Sequence, residues 1–193
     1  METVAFRQMR EGTRAEYEFL SRLENEYMEG LPERILTALQ RLEHSLSGYR
    51  VTRLEHSLQA ATRAEDDGAD EEMVLGALVH DIGDELAPAN HSQLAAAVVR
   101  PYVRPEVTWI LAHHGVFQLY YYGHHIGEDP MARERFRGYP WFASCVHFCE
   151  RYDQAAFDPN YPTRGLAHFE PLVRRIFTRP PFDPAVVGDD AAE

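Results

Sequence analysis

Only two cysteines occur in 193 residues, and nowhere do 18 apolar residues run together. Cys145 and Cys149 stand four apart in an aromatic helical pattern, so they share a helix face and form no disulfide framework. Two buried thiols are expected. The missing apolar run excludes a membrane-spanning helix, and the opening METVAFRQMREG lacks the basic start and apolar stretch of a leader. Both absences point to a cytoplasmic protein. Positive charge is also scarce: 19 Lys and Arg against 31 Asp and Glu leave a net charge of −12. That balance repels polyanions, so nucleic acid and anionic membrane are not expected as partners, and a small molecule or a metal cation fits better. Finally, no short segment alternates polar with apolar residues in the manner of a strand.

What remains is helical periodicity, and it predicts an all-α fold. The length suits one core. Helices are expected over 13–28, 31–46, 51–66, 70–82, 91–100, 104–114, 139–156 and 166–177, with breaks at positions such as Gly48, Gly68, Gly83 and Gly115. Residues 1–47 should supply helices that pack on a core domain over 48–178. The small and acidic residues of 179–193 read as a loose tail. The hexamer RLEHSL occurs at 41–46 and again at 53–58, too close and too interrupted by Gly48 for a solenoid repeat. Either His44 or His56 could therefore be a ligand.

Several metal-ligating side chains fall on apolar helix faces. His91 shares a face with Leu94, Ala95 and Val98; His114 shares one with Val107, Ile110 and Leu111, while His113 turns toward Trp109. The stripe Phe142, Cys145, Val146, Cys149 continues into Asp153, a carboxylate that needs a cation or strong donors if buried. In LGALVHDIGDEL, His80 and Asp81 follow the small Gly76 and Ala77, as if aimed into a cavity, and Gly83 could supply a left-handed helix end. Inward-facing histidines with two aspartates suit a metal site of nitrogen and oxygen ligands better than an apolar core.

The order His56, His80-Asp81, His91, His114, Asp153 resembles the HD-domain superfamily of metal-dependent phosphohydrolases, with HDIG as its signature. His91 and His114 match the subset that holds two metals. Within it, RLEHSLQAATRA, LVHDIGD, LAHHGV and DPMARERFRGYPWFASCVHFCERYDQAA are similar to the mixed-valent diiron oxygenases, which comprise phosphonate-cleaving HD oxygenases and, more distantly, myo-inositol oxygenase. The resemblance spans 51–157. It implies a single HD-domain helical bundle with a dinuclear site in its core: His56, His80, Asp81 and Asp153 on one iron, His91 and His114 on the other, and Asp81 bridging. It favours His56 over His44, because His56 stands 24 residues before His80 as in the resembled enzymes. No catalytic residue beyond the ligands is implied.

The chain departs from these enzymes around the substrate. Leu46 and Tyr49 stand where the phosphonate enzymes carry tyrosine and glutamate; Gln118 and Asp84 stand where lysines occur in the phosphonate and inositol enzymes respectively. Tyr49, Asp84 and Gln118 are thus the candidate substrate contacts, with capping of a helix end the other reading of Asp84. The segment 115–130, GVFQLYYYGHHIGEDP, reads either as an aromatic lid or as a packed surface loop. The implied function is oxidation or cleavage of a small hydroxylated substrate by dioxygen at an Fe2+/Fe3+ pair. The alternative is a phosphohydrolase using divalent metals such as manganese or cobalt, with Arg133, Arg135, Arg137 and Arg151 as candidate phosphate contacts.

Overall fold

The segment EEMVLGALV has no polar residue after Glu72, so a helix formed by it must be covered on every side. The computed structural model, which describes residues 3–188, makes it the central helix of an all-helical fold; no strand occurs among the described residues. In chain order the helices are α1 (Arg14–Glu29), α2 (Leu31–Arg41), α3 (Arg53–Asp66), α4 (Glu71–Val79), α5 (His91–Val99), α6 (Pro105–Ile126), α7 (Phe142–Phe148), α8 (Leu166–Phe177) and the short α9 (Pro184–Val187). Val74 to Val79 of α4 are all buried, and α3, α6 and α8 surround them.

Local chemistry sets the helix starts. Thr52 caps α3 by accepting from Glu55 N–H, and the Glu55 carboxylate accepts from Thr52 N–H in return; Thr13 and Glu16 do the same for α1. Asp70 caps α4 through the N–H groups of Glu72 and Met73. The apolar face of α8, with Phe169, Leu172, Val173 and Ile176, covers the core beside Ile35, Leu36 and Leu39 of α2. Helix α1 contributes no buried residue and packs mainly on α2. Both cysteines are buried and free.

Several sequence expectations need correction, three of them about glycine. Gly115 does not end α6, which runs on to Ile126; a Cβ there would stand 2.9 Å from Ser92 Oγ, so the glycine lets α5 lie against α6. Gly83 is not left-handed. A Cβ on it would meet the His91 carbonyl oxygen at 2.8 Å, so the missing side chain admits the start of α5 instead. Nor does Gly76 leave a cavity beside the His80-Asp81 pair, because Val107 and Leu111 of α6 fill that space.

The segment 139–156 is not one helix. After α7 the chain widens into a π-helical turn over Cys149–Asp153, with Gln154 N–H donating to Cys149 C=O at 3.0 Å. Beyond 178, Phe182 N–H donates to Pro101 C=O at 2.8 Å and Val187 is buried, so the part of the proposed tail up to Gly188 is seated on the core. Residues 189–193 lie outside the described residues.

Candidate metal centre

Helix geometry carries the ligands inward from five places. His56 sits one turn into α3, where Gln59 and Ala60 on the same face are also buried. Gln59 is accommodated there because its amide bonds both ways to the backbone of Asp158, which explains a polar residue on the inner face. His80 and Asp81 follow the last turn of α4, His91 opens α5, and His114 lies mid-way along α6. Asp153 ends the π-helical turn; such a turn rotates the residues after it relative to regular α register, and here Cys149, Tyr152 and Asp153 are all buried.

These six side chains converge. His56 Nε2 and His80 Nε2 are 3.0 Å apart, and His91 Nε2 and His114 Nε2 are 3.3 Å apart. Asp81 lies between the pairs: its Oδ2 is 3.3 Å from His56 Nε2 and 3.2 Å from His80 Nε2, while its Oδ1 is 3.4 Å from His91 Nε2 and 3.5 Å from His114 Nε2. Asp153 Oδ1 stands 3.3 Å from His56 Nε2 and 3.6 Å from His80 Nε2. Three triads, His56/His80/Asp81, His80/His114/Asp153 and Asp81/His91/His114, each place ligand atoms close enough to share an ion.

The donor chemistry fits a cation. Nδ1 of His56, His80 and His114 faces the carbonyl oxygens of Ala156, Ala77 and Leu111 at 3.0, 2.8 and 2.7 Å. A carbonyl only accepts, so each Nδ1 carries the hydrogen and each Nε2 of a neutral ring presents a lone pair. Two such lone pairs at 3.0 Å repel unless a cation or a proton lies between them. Asp153 Oδ2, also buried, has no hydrogen-bond partner. Without metal the site stores its charge as protons: burial disfavours the charged rings, yet Asp81 and Asp153 lift His80 well above the usual imidazole value and His56 rises too. In turn, burial disfavours the two carboxylates, but the histidines hold both well below the ordinary carboxylate range.

A cavity of about 580 Å3 opens onto the cluster. Tyr49, Asp84 and Gln118 all line it, together with residues that sequence reasoning missed: Arg53, Tyr121, Tyr122 and Phe157. Arg53 Nε donates to Asp84 Oδ2 at 2.7 Å and its Nη2 donates to Asp81 Oδ2. Asp84 is thus engaged by a cation rather than capping a helix. Arg53 stands one turn before His56, and the (i, i+3) neighbourhood of a helix could have found it. Tyr121 and Tyr122 follow His114 at helical spacing, a signal hidden by the assumption that Gly115 breaks α6. The segment 115–126 is accordingly neither lid nor loop but a helical wall of the cavity.

Other residues fall elsewhere. His44 is exposed on a 3-10 turn, and His113 donates from Nδ1 to Trp109 C=O at 2.7 Å with its ring stacked on the indole. None of the four arginines considered for phosphate lines the cavity: Arg133 lies over the Tyr120 ring, Arg135 over Phe136, Arg137 pairs with Glu134, and Arg151 is near Asp67.

The core is all-helical and closes around buried histidines and aspartates, and residues 53–139 match the family model described as HD domain. That stretch is thus similar to an HD domain, and the buried histidines and aspartates could bind metal. The chain is also similar to the [1-hydroxy-2-(trimethylamino)ethyl]phosphonate dioxygenase (glycine-betaine-forming) of Leisingera caerulea, 28% identical over 158 residues that cover 67% of this chain and 81% of the relative. The family match takes in His56, His80, Asp81, His91 and His114 and stops short of Asp153.

Proposed function

We propose that the chain is a diiron oxygenase acting on a small hydroxylated substrate. The observation that carries this reading is the split of Asp81, one carboxylate oxygen facing His56 and His80 and the other facing His91 and His114. A carboxylate so placed could be shared by two metals. His56, His80, Asp81 and Asp153 would hold one iron and His91 and His114 the other, with Asp81 shared. When bound, an Fe2+/Fe3+ pair would supply the chemistry that activates dioxygen.

The protein's part is positioning and exclusion of water. Three imidazoles are oriented by backbone carbonyls, so the ligands are set before metal arrives. Tyr49, Tyr121, Tyr122 and Phe157 give the cavity largely aromatic walls that displace water around a small substrate. The name of the similar dioxygenase supports a substrate with a hydroxyl beside the bond to be broken. Phosphate-ester hydrolysis with manganese or cobalt is the second reading, and the presence of Arg53 in the cavity favours it to that extent.

Iron-loaded protein, partly reduced without oxygen, should give a low-temperature spin-resonance signal below g = 2, because one ferric and one ferrous iron coupled through Asp81 leave one net unpaired electron. Small hydroxylated phosphonates should perturb the signal, and oxygen uptake should depend on the same compound. Absence of the signal at every reduction level, with hydrolysis of phosphate esters by the manganese or cobalt form, would establish the second reading instead.

A further inference from the structure

Every one of the 19 cationic Lys and Arg side chains in this sequence is an arginine, so no lysine can meet a negatively charged substrate group. The cavity over the metal-binding cluster is lined by one arginine, Arg53. We propose that Arg53 is the specificity-determining residue that binds an oxyanion of the substrate, a phosphonate, phosphate or carboxylate group, beside the metals. The inference rests on the reading of a two-metal site but not on the use of dioxygen.

The geometry that supports this is the way Arg53 is held. Its Nε is fixed on Asp84 and one Nη on Asp81, and its guanidinium carbon lies 5.6 Å from the centre of the Tyr49 ring. A guanidinium carries five N–H donors, and these two bonds leave three. The side chain is only 11% exposed, and what it shows borders the cavity. Its planar edge suits a two-oxygen contact that a flexible ammonium would not reproduce. Across the cavity, Gln118 is nearly buried and its side-chain nitrogen has no partner, which offers a second donor after a small reorientation.

The electrostatics make this binding conditional. Three carboxylates, Asp81, Asp84 and Asp153, line the cavity beside Arg53, so without metal its walls carry no net positive charge. Two divalent cations would make the cavity net positive. Oxyanions should therefore bind only after the metals, with Arg53 and a metal engaging the same group.

The test uses manganese-loaded full-length protein, since manganese separates anion binding from oxygen chemistry. Metal content is measured first, then the affinities of methylphosphonate, inorganic phosphate and acetate by calorimetry. The three probes distinguish phosphonate, phosphate and carboxylate as the preferred group. Arg53→Gln should retain both metals and bind the preferred probe about tenfold or more weakly, the effect of losing a charged hydrogen bond. Arg53→Lys keeps the charge that Asp81 and Asp84 face, guards against a folding failure, and should fall between the two. Wild-type protein without metal should bind none of the probes measurably.

Equal affinities in wild type and Arg53→Gln at equal metal content would overturn the proposal. So would loss of metal from both Arg53 variants, which would make Arg53 a positioning residue for Asp81. A wild-type chain that takes up no manganese would remove the two-metal premise and the proposal with it. Failure of iron-loaded protein to consume oxygen leaves these binding results intact, so the two readings fail separately.

Discussion

The two copies of RLEHSL carry the same six side chains to opposite ends. At 41–46 the hexamer finishes α2 and collapses into a 3-10 turn over Leu42–His44, leaving Arg41 and His44 exposed. At 53–58 it opens α3, with Arg53 on Asp81 and Asp84 and His56 buried among the ligands. The leucine after the first arginine also trades places: Leu42 is buried, while its counterpart Leu54 is half-buried. What differs is the flanking chain. Thr52 precedes the second copy and caps it with Glu55, whereas the first copy follows Gln40, still inside a helix that is running out. The residue before the second copy also touches the first, since Thr52 Oγ1 donates to Glu43 Oε2 at 3.1 Å. A hexamer therefore does not specify its role; the cap and the packing partners do.

The comparison breaks most sharply at the histidines. His56→Ala should lose the metal held with His80 and Asp153, about one ion per chain, whereas His44→Ala should keep both; elemental analysis of the two variants checks this. Reversed contents would assign the ligand to the first copy. Next come the arginines. In metal-free protein Arg53→Gln should cost about 3 kcal/mol in denaturant unfolding, because it leaves Asp84 without its cation and Asp81 with the histidines alone, while Arg41→Gln on the surface should stay within about 0.5 kcal/mol. Equal and small effects would mean that Asp81 and Asp84 find compensation elsewhere. The smallest difference is expected at the residue before each copy: Thr52→Ala should cost about 1 kcal/mol for the lost cap, and Gln40→Ala almost nothing. A separate control tests the bridge itself. Asp81→Ala should empty both metal positions, and His113→Ala, with its ring against Trp109, should empty neither.

Much of this was legible from the sequence. Periodicity alone located α8 at its observed bounds and α1 to within a residue, because each buries or presents a single clean face. It also turned His114 inward and His113 toward Trp109. The misses have physical causes. A glycine in a helical pattern reads as a break, yet Gly115 and Gly83 answer to a neighbouring helix that a one-dimensional pattern does not contain. The π-helical turn at Cys149–Asp153 has a period that a search for 3.6 residues per turn does not see. Arg53 was passed over because an arginine one turn from a ligand looks like a solvated face until Asp84 is known to reach it.

The bond from His56 to the Ala156 carbonyl joins positions 100 apart in the chain. It orients His56, and Asp153, proposed for the same metal, stands three residues before Ala156. During synthesis, α3 leaves the ribosome long before residues 153–156 have been made, so a nascent chain holds His56, His80 and Asp81 without Asp153 and without the carbonyl that orients His56. Completing the metal position proposed for His56, His80, Asp81 and Asp153 is therefore tied to closing a loop of 100 positions, a slow contact to form by diffusion. Once taken up, an ion there would act as a clasp on that loop and convert binding free energy into resistance to unfolding.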